Sequence, residues 1–157
     1  MKEKTCCFTG HRDLPKEQFC NLLQKTLNTM EQLIEQGYDC FKAGGALGFD
    51  TLCALAVLIL RLKYPHIQLH LVLPFPQQAE RWSPKEQERY EKIKQQADQI
   101  IYTYPHYTPD CFHKRNRQLV DNSSACICYL TKPAGGTAYT VDYATKNGLK
   151  LYNIALS

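Results

Sequence analysis

Two glycine-rich stretches are the residues best suited to chemistry in this chain: Gly44-Gly45-Ala46-Leu47-Gly48-Phe49-Asp50 and Gly135-Gly136-Thr137-Ala138-Tyr139. Each follows a strand-like apolar run and leads into a helical pattern. A glycine turn at a helix start exposes backbone N–H groups at the positive end of the helix dipole, which suits phosphate. Neither stretch is a Walker loop, since both lack the Gly-Lys-Ser/Thr ending, and neither is a GxGxxG fingerprint. One such turn is a weak signal. Two that enter one crevice would point to an anionic ligand. Thr137 adds a hydroxyl to the second turn. Asp50 fits a helix cap or a contact to a ligand hydroxyl, and capping is the commoner role of an aspartate at such a place.

Three further segments carry polar or aromatic groups to strand or helix ends. Thr9-Gly10-His11-Arg12 reads equally as a tight turn with a solvated arginine or as a loop of donors close to a ligand. Lys114-Arg115-Asn116-Arg117 could grip phosphate or carboxylate with Arg115, Asn116 or Arg117. It could also be a solvated helix face with an Arg117–Asp121 pair, the usual fate of a charge run. Trp82 beside Arg81 could stack on a base or pack as the hydrophobic staple before a Ser83 cap. Tyr139 is the other aromatic that could wall a base.

The elements that must position these groups alternate along the chain. Strand patterns fall at residues 5–9, 38–42, 67–73, 99–103, 125–130 and 151–154. Between them, helical spacing begins at Pro15 and stops at Gly37, then recurs at residues 49–63, 84–97 and 110–122, and from Gly136 to about Gly148. Ser83-Pro84-Lys85-Glu86 reads as a capping box with proline at the first helical position. Alternating strands and helices imply right-handed βαβ units and a parallel sheet covered on both faces. Ligands of such sheets bind beyond the carboxyl ends of the strands, where the segments above fall.

Composition narrows the class further. The 157 residues suit one domain, and an apolar fraction of 44% supports a sizeable core. A formal net charge of +4 permits an anionic ligand without implying a nucleic-acid coat. The longest apolar run, near residues 52–62, is too short for a membrane span, and no secretion signal is seen. A soluble, cytoplasmic protein is expected. The eight cysteines contain no CxxC pair and no zinc-finger spacing, so they read as small buried hydrophobes in a reducing compartment. Neither a metal site nor a cofactor is implied, and no catalytic residue is assigned.

Four co-linear motifs, FTGHR at residues 8–12, GGALGFDT at 44–51, KRNRQLVDNSS at 114–124 and GGTAYTVDYA at 135–144, resemble those of the YpsA-like proteins of the SLOG superfamily. The resemblance covers nearly the whole chain. It implies a Rossmann-like three-layer α/β sandwich with a mostly parallel sheet in a single domain. It also implies a sensor or regulatory module that binds a nucleotide or nucleotide derivative. Homo-oligomers are common in the superfamily. Two other activities occur there. The Gly45–Asp50 turn and Arg115-Asn116-Arg117 are similar to single-stranded DNA-binding DNA-processing A proteins, although Leu47 stands where a basic residue is often found. Gly135-Gly136-Thr137 is similar to part of the PGGxGTxxE signature of the Lonely-guy phosphoribohydrolases, which cleave nucleoside monophosphates at the N-glycosidic bond. Thr140 replaces their glutamate, and Asp50 or Asp121 would have to supply the acid. The expected ligand set is Gly44, Gly45, Gly48, Gly135, Gly136 and Thr137 for phosphate, with Arg12 and Arg115 or Arg117 for charge.

Overall fold

The computed structural model describes residues 2–156 and arranges them around six parallel strands. In chain order the elements are β1 (Thr5–Gly10), α1 (Phe19–Glu35), β2 (Cys40–Ala43), α2 (Phe49–Lys63), β3 (Gln68–Leu73), α3 (Pro84–Gln96), β4 (Gln99–Tyr102), α4 (Cys111–Asp121), β5 (Ala125–Tyr129), α5 (Gly136–Lys146) and β6 (Lys150–Asn153). The sheet order is β4-β3-β2-β1-β5-β6, with every neighbouring pair parallel. This is the Rossmann-like α/β architecture expected from the alternation of strands and helices. Among the described residues, no helix is long and apolar enough to cross a membrane.

Successive side chains of a strand point to opposite faces, so the core splits into two layers. Cys6, Phe8, Phe41, Leu69, Leu71 and Ile127 pack with α1, α2 and α3. Cys7, Val72, Cys126 and Cys128 pack with Leu119 and Val120 of α4 and Ala144 of α5. The second layer is built from small strand residues, three of them cysteines. All eight cysteines are free thiols and seven are buried. Burial pushes the Cys128 thiol up to about 12, which keeps it neutral and apolar in behaviour.

Helix ends follow local chemistry. Ser83 and Glu86 form the capping box: the Glu86 amide donates to Ser83 Oγ at 3.2 Å, and the Ser83 amide to Glu86 Oε1 at 3.0 Å. α1 closes in a Schellman motif, with Gly37 at φ +104°, its amide donating to Ile34 O, and the Tyr38 amide to Leu33 O. Because Tyr38 is used in that closure, β2 starts at Cys40 rather than at Tyr38. Pro15 does not open α1; a 3-10 turn at Lys16–Gln18 intervenes, and the helix begins at Phe19.

The order of strands reverses between β1 and β5, because β2, β3 and β4 lie to one side of β1 and β5 and β6 to the other. At such a switch point the connecting segments diverge and leave a crevice beyond the strand ends. The β1 connection is held in place by backbone packing. The Phe49 amide donates to His11 O at 3.1 Å, and a Cβ on Gly48 (φ +79°) would overlap the Arg12 carbonyl. Gly48→Ala is therefore expected to lose about 3 kcal/mol of stability or more in urea denaturation, from backbone strain and the clash together. Gly37→Ala, with equal freedom of φ but open space around it, should lose only about 1 kcal/mol.

Candidate functional site

The carboxyl ends of β1 and β5 and the starts of α2, α4 and α5 surround a crevice of about 460 Å³, within the range of small-ligand sites. Thr9, Gly10, His11 and Arg12 line it from the β1 connection. Ala46 and Asp50 come from the first glycine turn, and Gly135, Gly136 and Thr137 from the second. Arg115 and Asn116 project from α4. Both glycine turns thus border one opening. Phe112, Ala46 and Ala134 also line it and were not singled out in the sequence. Phe112 was findable, because it lies three residues before Arg115 on the same helical face. The two alanines carry no distinguishing side-chain signal.

The two turns differ in what remains available for a ligand. The first is engaged in part by its own fold. The Ala46 amide donates to Asp50 Oδ2 at 3.2 Å, Thr51 Oγ1 donates to Ala46 O at 3.0 Å, and the Phe49 amide is taken by His11 O. The cap position of α2 is Gly48, so Asp50 does not cap the helix but reaches back to the turn before it. Gly44 and Gly45 use their carbonyls as acceptors, from Arg115 and from Gln78 Nε2. At the second turn, Gly135 (φ +106°) and Gly136 have nothing within 4 Å of a built Cβ, so the α5 end is open. First-turn amides of a helix have no partner within it, and α5 presents them at the crevice.

Arg115 forms the floor. Only 5% exposed, it donates from Nη1 to the Gly44 carbonyl and from Nε to Asn116 Oδ1 at 2.8 Å. Burial depresses its pKa, while the nearby Asp50 charge opposes that effect. Burial in turn raises the Asp50 carboxyl, against the attraction of Arg115, the Ala46 amide and Arg12. Two guanidiniums thus face one partly desolvated carboxylate, which leaves an excess of positive charge. Arg12 and Arg115 both sit over the Phe112 ring, at 5.9 and 5.8 Å from its centroid.

His11 links the two sides of the switch point. The Thr131 amide donates to its Nε2 at 2.9 Å, so that nitrogen is an acceptor and only Nδ1 is left to donate. The ring also meets Tyr129 edge-on at 5.7 Å. His11 is thus a structural acceptor as well as a wall of the crevice.

Six of the expected ligand residues do not line this crevice: Gly44, Gly45 and Gly48 of the first turn, whose backbone lies behind Ala46 and Asp50, and Arg117, Trp82 and Tyr139. Arg117 is exposed on the opposite side of α4, which leaves Arg115 as the arginine that faces the opening. Asp121 is not its partner but accepts from the Tyr143 hydroxyl at 2.7 Å. Trp82 packs edge-on against Tyr90 at 5.1 Å, one turn beyond the position a staple would use. Tyr139 stands at the α4–α5 surface against His113 at 4.7 Å.

With this geometry in place, likeness to known proteins is informative. The model of the YspA SLOG family (YpsA) matches residues 6–156. An uncharacterized SPbeta prophage-derived protein, YoqJ, of Bacillus subtilis is 32% identical over 142 residues, covering 82% of each chain. A UPF0398 protein of Bacillus pumilus is 30% identical over 154 residues, covering 88% of this chain and 81% of the relative. Among solved structures, DNA processing protein A from Helicobacter pylori, described for its single-stranded DNA binding mode, superposes with a TM-score of 0.69 at 16% identity. DprA from Streptococcus pneumoniae gives 0.66 at 18%. Each superposition covers 96% of this chain but only 64% and 50% of the respective DprA chains, so this chain spans less than two thirds of either. At these identities the likeness speaks for the fold.

Burial, followed by the positive charge of Lys132, lowers the His11 pKa from 6.5. A lowered folded-state value means the neutral ring's contribution is full above the unfolded pKa and is lost as pH falls through the folded one. In an NMR titration the His11 ring should have its midpoint below 6.5, and the Thr131 amide resonance should move in step with it. A midpoint at or above 6.5 would contradict the acceptor role.

Proposed function

The chain belongs to the YspA SLOG family, and from that premise we propose that its switch-point crevice binds a nucleotide or nucleotide-derived phosphate ligand as a sensor or regulatory module. The observation that carries this reading is the convergence on one opening of the unobstructed α5 start and two guanidiniums, Arg12 and Arg115. Phosphate oxygens would accept from the first-turn amides of α5 and from the arginines, while Thr137 would supply a hydroxyl. Asn116 orients Arg115 through its 2.8 Å bond. Asp50, at the floor, would receive a ribose hydroxyl. Its bond to the Ala46 amide occupies one acceptor site of Oδ2 and leaves the others for that contact.

Gly136→Ala separates binding from folding, because a methyl there meets no protein atom yet stands at the crevice rim. In calorimetric titration of AMP or pyrophosphate, Gly136→Ala and Arg12→Ala should each weaken binding about ten-fold, or ~1.4 kcal/mol, while Arg117→Ala leaves it unchanged. Failure of the wild-type protein to bind either probe would refute the reading.

Single-stranded nucleic acid is the second reading, favoured by the fold shared with DNA processing protein A. It forecasts a different signature: retention of a dT oligonucleotide at low salt that falls steeply as salt rises, with a log–log slope of about −0.7 per phosphate contacted. No retention at low salt would dispose of it.

A further inference from the structure

Across the Arg12 side chain from the crevice lies a second opening of about 610 Å³. Phe75, Gln78, Arg81 and Trp82 line it from the connection between β3 and α3, and Tyr107 from the connection between β4 and α4. Its aromatic residues are continuous with the crevice. Phe112, a crevice residue, meets Phe75 at 6.2 Å, and Phe75 meets Tyr107 at 5.7 Å, both edge to face. Tyr107 is 58% exposed, which leaves a face for stacking.

Gln78 adds an independent sign of a missing partner. It is 9% exposed, and its Nε2 donates to Gly45 O at 3.2 Å and to the Tyr90 hydroxyl at 3.0 Å. The Gly45 carbonyl can only accept, so it fixes which end of the amide is nitrogen. Gln78 Oε1 is then left without any donor, the one buried side-chain polar atom in that condition among the described residues. Unpaired buried acceptors are rare in folded proteins and call for an explanation.

We propose that this groove is the base subsite for the nucleotide whose phosphate occupies the crevice, and that it selects a nucleobase with an exocyclic amine. The amine N–H would donate to Gln78 Oε1, and Tyr107 and Phe75 would supply the stacking surface. Arg12, which borders both openings, would lie between base and phosphate. Gln78 Oε1 is already out of contact with solvent and unpaired, so a base that brings the amine relieves that cost and one that does not leaves it in place, which is the source of the discrimination. The assignment rests on the crevice binding phosphate, and the test separates the two.

The probes are ribose 5-phosphate, AMP and IMP, titrated calorimetrically into the full chain. AMP should bind at least about ten-fold tighter than ribose 5-phosphate, and about ten-fold tighter than IMP. Tyr107→Ala should remove most of the AMP advantage while leaving ribose 5-phosphate affinity as it was, and Tyr107→Phe should restore it. If ribose 5-phosphate binds and AMP gains nothing over it, the base subsite is overturned and the phosphate crevice stands. Equal affinity for AMP and IMP overturns the role of Gln78. If none of the three binds, both the crevice and the subsite fall.

Discussion

The buried Arg115 guanidinium is the interaction on which the crevice depends. β1 pairs with β2 only over Thr5–Cys7, whereas its pairing with β5 runs on from Cys6 to Gly10. Beyond Cys7 the β2 chain parts from β1, and its Gly44 carbonyl takes a donor from outside the sheet. Arg115 reaches over from α4 to supply one. A side chain on Gly44 would come within 2.9 Å of both Arg115 Nη1 and Asp50 Oδ2, so glycine is required at this meeting point. One cation thereby joins α4, the β2 end and the α2 start, and stays partly uncompensated at the floor of an opening. Burying such a charge is costly unless it is paired, and the neighbouring Asp50 carboxylate offsets part of that cost.

That arrangement gives the two glycine turns unequal duties. The turn before α2 is a structural splice. Its glycines permit close approach to Arg12, Leu73 and Arg115, its Ala46 and Phe49 amides are taken up by Asp50 and His11, and its Gly45 and Ala46 carbonyls by Gln78 and Thr51. The turn before α5 has no such neighbours. The crevice thus joins a rigid wall that holds charge in place to a helix start that its neighbours leave open. His11 ties the halves together through the Thr131 amide, so the wall and the open turn keep a fixed separation.

The sheet supports this economy. Small cysteines on the α4–α5 side let Leu119, Val120 and Ala144 pack close to the strands. α4 therefore lies near enough to the sheet for Arg115 to reach Gly44. The larger Phe8, Phe41, Leu69 and Leu71 fill the opposite layer beneath α1 to α3. A thiol held neutral by burial, as at Cys128, suits that thin layer, since it adds volume without a charge to satisfy.

Much of the architecture was legible in the amino-acid order. The alternation of apolar strands with helical spacing, the Ser83–Glu86 box and the glycines after α1 and α5 are local signals, governed by backbone geometry and nearest neighbours. They fixed element type almost everywhere, and the YpsA-like motifs fixed the family. Boundaries moved where tertiary contacts outweighed propensity, as at Tyr38, claimed by the helix closure, and at Pro15, set before a 3-10 turn. Only the folded chain decided which arginine of Lys114–Arg117 faces inward, because a helix face is defined by what packs against it. It also assigned Asp50 to the Ala46 amide, placed Trp82 against Tyr90, and brought Phe112 to the crevice and Tyr107 to its neighbouring groove. Those choices depend on strand order and on which carbonyls are left unpaired. Both are properties of residues far apart in sequence, and so no local pattern could record them.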